Sequence, residues 1–97
     1  MSAPVFIGDE VTAAGYRLAG AKTIVPAAAD TAKSFAAALG EAPLVLITAA
    51  RAAELPRGEI ARAMRRAEPP VLVVPGAAGE TLPDLAADIG RALGIEK

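Results

Sequence analysis

Val5-Phe6-Ile7-Gly8-Asp9-Glu10-Val11-Thr12-Ala13-Ala14-Gly15-Tyr16-Arg17-Leu18-Ala19-Gly20 is the stretch from which the rest of the chain can be read. Its first four residues form a β-rich run, and the acids that follow stand where a helix needs a cap and a favourable charge at its positive end. Val11, Ala14, Gly15 and Leu18 recur at i, i+3, i+4 and i+7, which predicts a helix with that stripe buried. Gly20 is placed as a C′ stop. The unit is therefore a strand, a tight acidic turn and a helix.

Working outward, three more β-rich runs follow, Lys22–Val25, Leu44–Thr48 and Val71–Val74, and helix-like segments separate them. The last two are continuously apolar, as strands buried on both faces tend to be. Parallel neighbours joined by helices require right-handed crossovers. The expected fold is thus α/β: a single small domain with a four-stranded parallel sheet of order 2-1-3-4, receiver-like or Rossmann-like, flanked by helices.

The second helix is expected to start at Asp30 or Thr31, bury Ala32, Phe35, Ala36 and Leu39, and stop at Gly40. Pro56 would break a continuous helix from Ala49, which predicts a short turn and then a main helix from about Pro56 to Ala67. Pro69-Pro70 forces extended chain before the fourth strand. Residues 1–76 form the expected α/β core. Residues 77–97 read as a hinge loop and an amphipathic helix with Leu82, Leu85, Ala86, Ile89 and Leu93 on one side.

Composition narrows the function. The 97 residues are 54 % hydrophobic with a net charge of −1, so nothing marks a disordered chain or a nucleic-acid binder. About a quarter are alanine and only Phe6, Tyr16 and Phe35 are aromatic, which gives one modest core. Cysteine and histidine are both absent. That removes thiolate and imidazole chemistry, and no acid, base and nucleophile fall into a catalytic arrangement. The longest apolar runs are far below the roughly 20 residues that span a bilayer, and the amino terminus lacks a basic-then-apolar signal, so any membrane association is expected to be indirect.

Asp9-Glu10 lies at the carboxyl end of the first strand, the side on which open α/β sheets place ligands. A phospho-receiver would need an aspartate ending the third strand, where Thr48 stands, and a lysine after the fourth, where none occurs. A phosphate cradle would need glycines and open amides, whereas two carboxylates repel a phosphate. Capping is the simpler role for Asp9 and Glu10, and Thr48 fits as the cap of the following turn. Neither a metal nor a cofactor is expected.

Tyr16-Arg17, on the less apolar side of the first helix, reads either as an interface anchor or as a half-buried tyrosine beside a solvated arginine. Arg62, Arg65 and Arg66, with Arg57 before them, make a basic strip that suits an acidic protein surface, or a plain solvated face.

The "IGDE" start, the Gly15 to Gly20 cluster, the strand "LVLIT", the strand ending "VPG" and the last amphipathic stretch resemble, in order, the F subunit of the V-type (A/V-type) ATPases. The chain departs from that pattern at Val11, where members commonly carry another acid. The resemblance implies a non-catalytic central-stalk (rotor) protein that binds the coiled-coil D subunit and helps couple ATP hydrolysis or synthesis to ion transport. It also implies a cytoplasmic protein held at the membrane only through its complex. It casts Gly8, Asp9, Glu10, Gly15 and Gly20 as fold-defining and Leu85, Ile89 and Leu93 as candidate contacts to the coiled-coil partner; Tyr16, Arg17, Arg62, Arg65 and Arg66 remain further contact candidates on their residue types and spacing alone. The alternative is a receiver-like or small-ligand-binding module without a phosphoacceptor, using the crevice near Asp9, Glu10 and Thr48.

Overall fold

A computed structural model describes residues 3–76. Along the chain run β1 (Val5–Ile7), α1 (Glu10–Leu18), β2 (Lys22–Ile24), a single 3-10 turn at Ala28–Asp30, α2 (Thr31–Glu41), β3 (Val45–Thr48), α3 (Ala49–Ala52), α4 (Glu59–Arg66) and β4 (Val71–Val74). The four strands form one parallel sheet of order β2-β1-β3-β4, as the alternation of runs predicts. Phe6 stands level with Thr23 and Leu46, and Ile47 with Val73, so residues level with one another share a face and successive residues alternate between faces.

One face is thick. Val5 and Ile7 of β1, Val45 and Ile47 of β3 and Val71 of β4 pack with Phe35 and Ala38 of α2, Leu55, and Ala63 of α4. Among the described residues the opposite face is thinner: Phe6, Ala13 and Leu46 form its buried hydrophobic cluster, with Tyr16, Ala21, Leu44 and Val74 half-buried around them. Right-handed crossovers explain the division, because β1 to β2 steps outward in one direction while β2 to β3 and β3 to β4 step in the other.

Helix α1 corrects the expected stripe. Its buried residue is Ala13, and Tyr16 lies on Phe6 with ring centroids 4.5 Å apart and planes 13° from parallel. Val11, Ala14, Gly15 and Leu18 are exposed instead. Turning the helix to bury an aromatic ring on an aromatic ring gains more area and stacking than burying Val11 and Leu18 would.

The helix closes in a Schellman motif, with the Gly20 amide donating to the Arg17 carbonyl and the Ala21 amide to the Tyr16 carbonyl, both at 3.0 Å. Gly20 takes φ 102°, the left-handed geometry this stop requires.

Helix α2 buries Thr31, Phe35 and Ala38, with Ala32 and Leu39 half-buried, while Ala36 faces solvent. It runs through Gly40 and ends after Glu41, because Pro43 drives Ala42 into extended geometry (ψ 145°). The main helix of the third connection starts three residues later than Pro56. The Glu59 amide donates to the Pro56 carbonyl across a turn, and Gly58 at φ 83° supplies a left-handed link before α4.

The segment Leu82, Leu85, Ala86, Ile89 and Leu93 lies outside the described residues, as does the division at residue 77.

Candidate interaction surface

At the carboxyl end of β1, Gly8 is buried, and a Cβ there would stand 2.5 Å from both the Phe6 ring and the Thr48 methyl. The close approach of strand, ring and β3 terminus needs a residue without a side chain. Asp9 then caps α1. Its carboxylate accepts from the Thr12 amide at 2.8 Å and from the Thr12 hydroxyl at 2.8 and 2.9 Å, from an extended backbone at ψ 162°. Glu10 extends into solvent in the first turn and accepts from Arg17 at 3.2 Å.

Thr48 is buried at the end of β3 and caps α3, accepting from the Arg51 amide at 3.3 Å. Every polar group expected to define a crevice site is therefore engaged in starting a helix or bracing one. Among the described residues no group of three or more His, Cys, Asp or Glu side chains is placed to hold a metal ion.

A second polar junction went unrecognised in the sequence. Glu54, just past α3, accepts from the Thr31 hydroxyl at 2.6 Å and from Arg51 at 3.0 and 3.1 Å, and its side chain is 29 % exposed. The Thr31 hydrogen bond chiefly, with help from Arg51, holds the Glu54 carboxyl below its ordinary value of 4.5 against the opposing effect of burial. Twenty-three residues separate Thr31 from Glu54, and nothing in their spacing announces the contact.

The candidate contact residues are dispersed. Tyr16 is half-buried on Phe6, so only part of its ring is available to a partner. Arg17 spans the Glu10 carboxylate and the Thr23 hydroxyl (3.0 Å) on the β2 side of α1. Arg62, Arg65 and Arg66 are exposed on α4, on the opposite face of the sheet. Arg62 and Arg66, with Leu39, Glu59 and Ala63, line a shallow cleft of about 250 Å³ between α2 and α4. Gly15 is exposed in α1, and among the described residues nothing lies within 4 Å of the position its Cβ would take. Leu85, Ile89 and Leu93 lie outside the described residues.

These surfaces suit protein contact better than bond chemistry. Exposed cations and an apolar helix face are present, whereas at the carboxyl ends of β1 and β3 Asp9 and Thr48 are engaged as helix caps. Among the described residues no helix is long and apolar enough to cross a membrane. No curated protein matches the chain. A sequence model of the ATP synthase (F/14-kDa) subunit does match, over residues 5–91, from the first residue of β1 into the segment beyond β4, and the chain belongs to that family.

Proposed function

We propose that the chain is a non-catalytic central-stalk component of a V-type ATPase, bound to the coiled-coil D subunit and turning with it. The observation that carries this reading is the family match along nearly the whole sequence, on a sheet of order 2-1-3-4. A rigid α/β body fixed to a coiled coil stiffens the shaft through which ATP hydrolysis or synthesis is coupled to ion transport. The chain itself performs no bond chemistry. It is cytoplasmic and reaches the membrane only through the complex.

Leu85, Ile89 and Leu93 are the contacts we assign to the coiled-coil partner, with Tyr16, Arg17, Arg62, Arg65 and Arg66 supplementing them. Apolar residues at that spacing suit a helix laid along a helical seam, and an exposed arginine strip suits an acidic patch on a neighbour. The core, residues 1–76, and the segment from 77 onward act as body and clasp.

The test is a pull-down with the coiled-coil stalk protein of the same ATPase, alongside coupling measured in the complex with and without this chain. Capture by wild type and loss when Leu85, Ile89 and Leu93 are all changed to Asp supports the reading. Unchanged coupling in the absence of the chain counts against the mechanical role. Stabilisation of the isolated chain by Mg²⁺ or a nucleotide would instead support a ligand-binding module.

A further inference from the structure

Helix α1 presents an apolar face that the sheet leaves uncovered. Val11 is 73 % exposed and Leu18 92 % exposed, one near each end of the helix, and the exposed Ala14 and Gly15 lie between them. Val25, just after β2, Met64 of α4 and Leu72 of β4 are exposed singly at separate places. Val11 and Leu18 instead share one strip. At about 100° per residue, Val11, Gly15 and Leu18 lie roughly 140–160° around the helix from Ala13, whose methyl is buried against the sheet. The strip therefore points away from the sheet, and among the described residues it is exposed.

We infer that this strip is a docking seam for an apolar-faced helix of another protein in the complex, an inference that rests on the stalk reading above. Positions 11, 14, 15 and 18 have the i, i+3, i+4, i+7 spacing with which one helix meets another. Small residues at the centre let the two axes approach closely, and Val11 and Leu18 act as knobs at either end. No Cβ is present at Gly15 and among the described residues its surroundings are open, so a partner side chain has room there.

The Glu10–Arg17 pair borders the strip on the β2 side with one charge of each sign, leaving apolar contact to select the partner. Area decides between a second copy and a different protein. A helix of this length is about 13 Å long. Its strip offers a few hundred Å² at most, below the roughly 800 Å² per partner of a standard interface. Such a seam is too small to hold two copies together and serves as one contact within a larger heteromeric surface, which membership in a family of complex subunits supplies.

The test combines V11D with L18K. Each change places a charge that complements the helix dipole at its own end, and both side chains are exposed, so the fold and the melting temperature are expected to stay as in wild type. Binding to the stalk assembly is expected to weaken at least tenfold, while V25D, an exposed change just after β2, binds as wild type. Should the charged variant melt lower, Ala14→Gln, a good helix former that only adds bulk to the strip, provides the same readout.

Wild-type capture with undiminished capture of the variants overturns the docking seam and leaves the stalk reading standing. No capture of wild type overturns both. A dimer of the isolated chain that V11D/L18K dissolves, measured by light scattering, gives the strip to a second copy and overturns the assignment to a different protein.

Discussion

The face beneath α2, α3 and α4 buries Phe35, Val5, Ile7, Val45, Ile47 and Leu55 in one cluster, whereas the face beneath α1 depends on Phe6, Ala13 and Leu46 and a single ring stack. The thick face is closed by its own side chains and a polar clip. Among the described residues the thin face carries one helix, α1, whose outer side is apolar and exposed. Among the described residues, burial is thus concentrated on one side and exposed apolar helix surface on the other, a division expected of a small subunit of a complex.

The asymmetry is most exposed to attack at Phe35. Replacing this fully buried ring by alanine is expected to cost about 3–5 kcal/mol, a large share of the roughly 5–15 kcal/mol that holds such a domain together, read as a much lower midpoint in a urea titration. Gly8→Ala attacks the joint of the thin face, and with the Phe6 ring and Thr48 methyl both 2.5 Å from the new Cβ, a loss of about 1–3 kcal/mol is expected in the same assay.

Tyr16→Ala removes only a half-buried ring and its stack, so it should cost about 1–2 kcal/mol. A cost equal to that of Phe35→Ala would erase the distinction between the faces.

The clip on the thick face has a pH signature. Glu54 has a lowered native pKa, so its contribution is complete above its ordinary value of 4.5 and disappears as pH falls through the lower native value. Thr31→Val removes the largest cause of that lowering. It should cost about 1–2 kcal/mol at neutral pH and less in acid, where wild type has already lost the contribution; urea melts at about pH 7 and about pH 3 measure the difference. An identical loss at both pH values would refute the clip.

The smallest expected effect is a gain. Ala67 ends α4 at φ 62°, where an alanine is strained, and Ala67→Gly should raise stability by about 0.5–1 kcal/mol in the urea titration.

The sheet order could be read from the sequence because four β-rich runs alternate with helical segments and handedness removes most other arrangements. The caps at Asp9 and Thr48 were equally legible, since a short polar side chain before a helix has a local job. Which face of α1 turns inward was not. Val11 and Leu18 form the more apolar stripe, but the decision rests on Tyr16 meeting Phe6, a contact between a helix and the strand before it that periodicity does not encode. Gly40 reads as a stop, yet Pro43 sets the helix end at Glu41, two residues before it. The Thr31–Glu54 clip joins two elements with β3 between them, beyond the range of any spacing rule. The exposed strip on α1 became visible only once the inward face was known.

The crowding at Gly8 also shapes how relatives of this chain can diverge. Positions 6, 8 and 48 share one small volume, in which any side chain at 8 must take its space from the Phe6 ring or the Thr48 methyl. Changes at the three positions are therefore non-additive. A side chain at 8 costs less once a smaller residue stands at 6 or 48, so the order in which mutations arise across the three positions changes their cost.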